Sequence, residues 1–149
     1  MLHRIAKVIA QASVVGITAA AMATIPAEAA ATAETPCSAR AKVCIQISTQ
    51  TSWLMDNGKV TYGPVPISTG GPDTPTPPGT YKVLRKVEEH WSKEYQAWMF
   101  YSVFFTNRGH ALHEGDLDSP SHGCVRLYEE DAIHYFKTLQ PGQRVEVVR

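Results

Sequence analysis

Residues 43–62 read VCIQISTQTSWLMDNGKVTY, and this stretch carries the strongest signals for the fold. Val43, Ile45 and Ile47 alternate with small or polar residues, which is the period-two pattern of a half-buried β-strand. Asn57-Gly58 stands between two further extended runs, and this dipeptide favours the tight turn of a β-hairpin. The stretch therefore predicts a strand followed by a hairpin.

Strand signals continue toward the C-terminus. A proline-rich loop at 72–79 interrupts them, because proline donates no ladder hydrogen bond. Residues 80–87 are a strand candidate. Residues 95–106 carry apolar side chains at both even- and odd-numbered positions, which predicts a strand buried on both faces.

One helix is predicted near the C-terminus. Residues 129–131 are acidic and favour its first turn, while Pro141-Gly142 ends it. Valines at 145–148 then predict a last strand. The predicted fold class is mostly β, with one short helix.

Composition restricts the function classes. The 149 residues contain 14 Lys+Arg and 14 Asp+Glu, so no excess of basic residues is available to neutralise nucleic-acid phosphates. The 44% hydrophobic content is that of a globular chain, and the length suits one domain. We therefore expect a single globular domain that does not bind nucleic acid.

Residues 1–29 have the pattern of a secretory signal peptide. A basic start with Arg4 and Lys7 leads into an uncharged run, and Ala27-Glu28-Ala29 offers small residues for cleavage. We expect cleavage after Ala29, an extension at 30–42, and a monomer exported to the periplasm, cell wall or medium, without stable membrane association. An uncleaved anchor or an internal alanine-rich helix is the alternative.

Three cysteines remain in the expected mature chain. Export favours disulfides, and an odd number leaves one thiol over. Cys37 and Cys44 are seven residues apart, so a Cys37–Cys44 bridge with a free Cys124 is the expected pairing. A buried, inert Cys124 is possible, but its His and Gly neighbours suit a reactive thiolate.

His110, His113, His122 and Cys124 fall within fifteen residues, and a zinc site and a thiol enzyme compete for them. Spacing disfavours zinc, because residues three apart on a strand at 110–113 point to opposite faces. For thiol catalysis, a histidine can take the cysteine proton. Gly123 lets the backbone turn sharply and bring N–H groups toward a reacting carbonyl.

The longer string around these residues resembles the L,D-transpeptidase family, the YkuD-type catalytic domain. The family pattern is a histidine, then Ser/Thr-His-Gly-Cys, an apolar residue and Arg or Asn. Here His113 precedes SHGCVR at 121–126. The likeness extends to Trp53-Leu54 and to residues 66–70 and 76–81, and covers about 43–149. It implies a β-sandwich and a catalytic domain at 43–149.

The resemblance also implies roles for single residues. Cys124 is the expected nucleophile and His113 its general base. His122 and Gly123, with the backbone of Cys124, are expected to line the oxyanion site. Metal and cofactors are not expected.

Two further residues of the same string are expected to hold substrate. They are Ser121 and Arg126, and the planar guanidinium of Arg126 suits a substrate carboxylate.

The expected function is an L,D-transpeptidase acting on peptidoglycan stem peptides. In the implied reaction a terminal D-Ala leaves, an acyl-thioester forms, and an amine of another stem completes a 3→3 cross-link. An L,D-carboxypeptidase with the same Cys/His site is one alternative, since water can take the place of the amine. A non-catalytic secreted wall-binding domain is the alternative from a different class.

Overall fold

The computed structural model of the protein describes residues 34–149. The expected signal peptide at 1–29 and the start of the extension at 30–42 lie outside the described residues. Within these described residues, nine strands and one helix follow in chain order: β1 (Val43–Gln46), β2 (Thr51–Asp56), β3 (Lys59–Pro66), β4 (Gly79–Lys82), β5 (Arg85–Ser92), β6 (Ala97–Phe104), β7 (Ala111–Glu114), β8 (Val125–Leu127), α1 (Glu129–Thr138) and β9 (Arg144–Val148). Within residues 34–149, no helix is long and apolar enough to cross a membrane.

The strands form two sheets. The first has the order β3-β2-β1-β9-β4, and the second has the order β5-β6-β7-β8. The predicted hairpin is confirmed: β2 and β3 pair antiparallel, and Asn57 and Gly58 at the turn have φ of 48° and 79°. Positive φ at both central residues is what a type I′ turn requires.

One apolar core joins both sheets and the helix. Its members come from the first sheet (Val43, Ile45, Leu54, Val145), from the second sheet (Val103, Leu112, Val125, Leu127) and from the helix side (Ala132, Tyr135, Leu139). The buried Tyr135 hydroxyl donates to Ser52 Oγ at 3.0 Å, so the helix is fixed to the first sheet by a polar contact as well. The predicted mostly-β fold with one short helix is confirmed.

The prediction of one strand at 80–87 is wrong. The chain crosses from one sheet to the other at Val83 and Leu84. The Val83 N–H donates to Gln143 O beside β9, and the next N–H, of Leu84, donates to Phe104 O in β6. Both segments are extended, so local periodicity does not show the crossing.

The prediction for 95–106 holds only in part. The second half of β6 is buried on both faces, with Val103 0% and Phe104 3% exposed. The first half forms a hairpin with β5, and Trp98 there is 53% exposed. Tyr101, between the two halves, has the left-handed φ of 55°, which interrupts the regular strand.

The described part of the N-terminal extension is tied to the first sheet. Cys37 and Cys44 form a disulfide with a Cα–Cα distance of 5.7 Å. Ser38 donates two hydrogen bonds to the Glu146 carboxylate, from its N–H at 2.8 Å and its hydroxyl at 2.6 Å. These bonds fix the segment to β1 and β9.

Candidate active site

The parallel pair β7 and β8 places the two central side chains. Leu112 pairs with Val125, and both point into the core. Because side chains alternate along a strand, His113 and Cys124 lie on the opposite face from these two residues. Both line one cavity of about 310 Å³. The structure therefore brings together the expected base and the expected nucleophile.

Cys124 is the free cysteine of the described chain, and it precedes β8 directly. Its Sγ lies 3.9 Å from Gly109 O. Burial raises the pKa of the Cys124 thiol above its ordinary value, although the Ala111 backbone N–H and Arg126 act in the opposite direction. Burial thus favours the neutral thiol in the resting site, and the reactive thiolate expected from the His and Gly neighbours stays a prediction.

His113 is held in one orientation by its backbone neighbour. The ring Nδ1 lies 2.6 Å from Glu114 O, and because a carbonyl only accepts, Nδ1 carries the proton. Nε2 is then the unprotonated nitrogen. Burial lowers the pKa of His113 to about 4, since the 8% exposed ring cannot be solvated as a cation. At neutral pH the ring is a neutral base.

The turn that carries Cys124 is fixed by two hydroxyl groups. Ser121 Oγ donates to Cys124 O at 2.5 Å and accepts from the Gly123 N–H at 3.0 Å. Thr76 Oγ1 donates to Gly123 O at 2.8 Å and accepts from the Gly70 N–H at 2.9 Å. The hydroxyl expected to hold substrate, that of Ser121, is thus engaged within the turn.

These hydrogen bonds also change the expected oxyanion site. The Gly123 N–H is directed to Ser121 Oγ, so it is not free for a substrate oxygen. The Cys124 N–H takes no part in the bonds that fix the turn. His122 is exposed and stacks on Tyr95, with ring centroids 4.8 Å apart. Gly123 keeps a conformational role, since its φ of 117° is a left-handed value.

Arg126 lies beside His113 in the strand register. Its Nη2 donates to Ser119 O at 2.6 Å, and its Nε is buried without a hydrogen-bond partner among residues 34–149. Gly115 leaves room for it, because a Cβ at that position would come within 2.6 Å of Arg126 Cδ. The guanidinium lines the same cavity as Cys124 and has capacity for a carboxylate.

His110 lies nearer to the nucleophile than expected. β7 begins at Ala111, so His110 is outside the strand, and Thr106 Oγ1 fixes its Nδ1 at 2.8 Å. Its ring lies against Gly123, where a Cβ would come within 2.9 Å of Nε2. A second cavity, of about 380 Å³, is lined by both His110 and Cys124. Both histidines therefore flank Cys124, each in its own cavity.

Three residues at this site were not predicted from the sequence. Tyr95 and Met99, on the β5–β6 hairpin, line both cavities, and Thr76 fixes the turn. The TPPG string at 76–79 was a signal for Thr76, but it did not show which group the hydroxyl bonds. Among residues 34–149, no three His, Cys, Asp or Glu side chains are close enough to hold a metal ion.

Residues 40–147 match the family model of YkuD, the L,D-transpeptidase catalytic domain. Among curated proteins, the chain is 32% identical to the Probable L,D-transpeptidase 3 of Mycobacterium tuberculosis. This similarity covers 57% of this chain and 38% of that protein.

The solved structures that are similar to the described fold include two crystal structures of L,D-transpeptidases. L,D-transpeptidase (Yku) from Stackebrandtia nassauensis has a TM-score of 0.68 and 34% identity, over 72% of this chain and 54% of that one. L,D-transpeptidase 3 from Mycobacterium tuberculosis, in complex with a faropenem-derived adduct, has a TM-score of 0.65 and 27% identity. This similarity covers 72% of this chain and 59% of that chain. The chain thus spans little more than half of each crystallised relative.

Proposed function

Because the chain belongs to the YkuD family of L,D-transpeptidase catalytic domains, we propose that it is a cysteine acyltransferase that cross-links peptidoglycan stem peptides. The observation that carries the proposal is the placement of Cys124 and His113 on one sheet face, beside one cavity, with Nε2 of the histidine unprotonated.

The first half-reaction forms an acyl-enzyme. His113 Nε2 takes the Cys124 proton as Sγ attacks the carbonyl of the third-position diamino acid, at its L-centre. The C–N bond to the terminal D-Ala then breaks. The histidine returns the proton to the leaving amine, and the thioester between the tripeptide and Cys124 remains.

Both partners are neutral at rest, because burial raises the pKa of Cys124 and lowers that of His113. Proton transfer therefore accompanies the attack, and no ion pair has to be maintained in the buried site before substrate binds. The Cys124 N–H is the backbone donor available for the oxyanion of the tetrahedral intermediate.

Arg126 holds the donor stem in this scheme. Its guanidinium lies next to His113 in register and lines the cavity of Cys124. A stem carboxylate would satisfy the buried Nε, which has no protein partner in the described part of the chain. Substrate binding then completes the hydrogen bonds that the free site lacks.

The second half-reaction transfers the acyl group to an amine of another stem. The amine attacks the thioester carbonyl, the Cys124 thiolate leaves and regains a proton, and a 3→3 cross-link forms. Cys124 borders two cavities, which supports a two-substrate reaction, because donor and acceptor need space on different sides of the sulfur. The same site with water as acceptor is an L,D-carboxypeptidase.

Mass analysis of muropeptides after incubation with the protein tests the function. We expect cross-linked dimers with wild-type protein and none with Cys124→Ala. His134→Gln, which changes an exposed histidine of α1, is the matched control and should retain activity. Tripeptides without dimers would establish the carboxypeptidase, and unchanged muropeptides would support a non-catalytic wall-binding domain.

We also propose that the mature protein is exported. The expected signal peptide is one support, and the Cys37–Cys44 disulfide is another, because such bonds persist in oxidising compartments. Fractionation of cells with an antibody to the chain, together with N-terminal sequencing, tests export and cleavage after Ala29.

Faropenem provides a chemical test of the nucleophile. The related L,D-transpeptidase 3 has been solved with a faropenem-derived adduct. We propose by similarity that faropenem acylates Cys124 here, through attack of Sγ on the β-lactam carbonyl and opening of the ring. Intact-protein mass spectrometry should show an adduct on wild-type protein and none on Cys124→Ala.

A further inference from the structure

The β5–β6 hairpin carries a row of three aromatic rings, of which the two tryptophans are exposed and Phe100 is half-buried. Trp91 and Trp98 face each other across the strands, with ring centroids 5.3 Å apart, and Trp98 stacks on Phe100 at 5.7 Å. Trp91 is 40% and Trp98 is 53% exposed. Large aromatic side chains placed together at a surface mark an interaction site more often than isolated ones do.

This row is continuous with the candidate active site. Trp98 and Glu114 line the cavity that holds Cys124. Phe100 and Glu114 in turn line a shallow depression of about 290 Å³. A surface path therefore leads from the nucleophile across Trp98 to Phe100, and Glu114 borders both ends of it.

Carboxylates surround the depression. Besides Glu114, it is lined by Glu88, Glu89 and Glu129, all exposed. Carboxylates accept hydrogen bonds from hydroxyl groups but repel other anions. The path thus disfavours an anionic peptide and accommodates a neutral, polyhydroxylated molecule.

We propose that this path, the hairpin groove (Trp91, Trp98, Phe100, Glu89 and Glu114), binds the glycan strand that carries the donor stem peptide. The proposal rests on the proposed function for its substrate. The apolar C–H face of a pyranose ring packs on a flat aromatic ring, and its equatorial hydroxyls donate to carboxylates at the rim. Aromatic rings with adjacent glutamates supply both kinds of contact.

The length of the stem peptide agrees with this placement. Three residues separate the reacting carbonyl from the sugar, and three extended residues span roughly 10 Å. The sugar is therefore expected near the mouth of the cavity, and Trp98, which lines this cavity, is 53% exposed to solvent. Phe100 then lies one ring farther along the groove.

Binding of a peptide-free glycan tests the proposal independently of catalysis. The full chain is titrated with N-acetylglucosamine tetramer while tryptophan fluorescence is measured. Of the three tryptophans, Trp53 is only 8% exposed, so a change in fluorescence reports on Trp91 and Trp98. Saturable quenching is expected, and its absence would overturn the proposal.

Matched variants locate the binding surface. Phe100→Leu keeps an apolar side chain but removes the ring face, and we expect affinity for the tetramer to fall about five-fold. Glu89→Gln removes one charged acceptor and should weaken binding about three-fold. The control is Tyr128→Leu, which removes a 54% exposed ring from outside the groove. An equal loss of affinity for the tetramer in Tyr128→Leu would contradict the proposal. Fluorescence quenching by Ca²⁺ but not by the tetramer would also contradict it, because the carboxylates would then bind a cation and not a glycan.

Kinetics with two donors separate this proposal from the proposed function. Wild-type protein should show a higher kcat/KM for a disaccharide-tetrapeptide than for the free tetrapeptide. Phe100→Leu should reduce this preference and leave the free tetrapeptide rate unchanged. Equal kcat/KM values for the two donors in wild-type protein would overturn the proposal that the hairpin groove binds the glycan. If neither donor is consumed, the proposed function fails. The titration with the tetramer then still tests whether the hairpin groove binds a glycan.

Discussion

Thr76 Oγ1 donates a hydrogen bond to Gly123 O at 2.8 Å and so joins two residues 47 positions apart in the sequence. The same oxygen accepts from the Gly70 N–H, and Thr76 is 1% exposed. The proline-rich loop thereby fixes the backbone directly before the nucleophile. The position of Cys124 depends on this contact as well as on the strand that follows.

We predict that Thr76→Val lowers kcat by about ten- to a hundred-fold with little change in KM, because a displaced nucleophile loses its alignment. Thr76→Ser retains the hydroxyl and should restore most of the rate. Thr61→Val, at an exposed position of β3, is the matched control. Steady-state kinetics and thermal unfolding check the prediction. An effect of Thr76→Val on stability alone, with kcat unchanged, would contradict the positioning role.

The pH dependence of alkylation should show a neutral resting thiol. Because burial raises the pKa of Cys124, the rate of reaction with iodoacetamide should rise steadily from about pH 6 to about pH 9. His113→Gln should leave the shape of this profile unchanged. A rate plateau below about pH 7 that disappears in His113→Gln would instead indicate a preformed thiolate–imidazolium pair.

Because His113 is buried and neutral, the free energy of unfolding depends on pH in the acidic range. The unfolded histidine binds a proton near its ordinary pKa of 6.5, whereas the folded one binds only near 4. The unfolded state thus holds more protons in this window, so stability is complete above pH 6.5 and falls as pH drops toward 4. The loss is on the order of 3 kcal/mol.

Urea unfolding at several pH values measures this loss. His113→Gln should show a shallower decline of the unfolding free energy than wild type. His134→Gln, at an exposed histidine, should retain the wild-type slope. Equal slopes for wild type and His113→Gln would contradict the buried, neutral state of His113.

Lys86 stabilises the end of α1. Its Nζ donates to Phe136 O at 2.6 Å and to Leu139 O at 2.7 Å, carbonyls that the helix itself leaves free. We predict that Lys86→Met, which keeps the apolar stem, lowers the free energy of unfolding by about 1–2 kcal/mol. Lys137→Met, at an exposed lysine of the last turn, is the control, and an equal loss there would contradict the prediction.

Local patterns predicted much of the first sheet. The alternation at 43–47 gave β1, and Asn57-Gly58 gave the β2–β3 hairpin. The match to the YkuD family model confirms the family resemblance. That resemblance selected Cys124 and His113 among the four His and Cys residues at 110–124. These features depend on neighbouring residues or on one short motif, which is why the sequence shows them.

Long-range packing accounts for what was not predicted. The crossing at Val83 and Leu84 depends on partners in β9 and β6, not on local periodicity. The approach of His110 to Gly123 was not predicted because β7 begins at Ala111, so His110 lies outside the strand and the alternation of strand side chains does not fix its direction. The raised pKa of the Cys124 thiol results from burial, which no motif encodes.

Detection of the acyl-enzyme tests the Cys124–His113 mechanism most directly. The protein is mixed with a disaccharide-tetrapeptide, stopped with acid at short times, and digested for peptide mass analysis. We expect the tripeptide-bearing acyl group on Cys124 in wild-type protein and none in Cys124→Ala. His113→Gln should form it about 10²–10⁴-fold more slowly, whereas His110→Gln should change the rate less than about ten-fold. An acyl group on another residue, or normal acylation in His113→Gln, would contradict the mechanism.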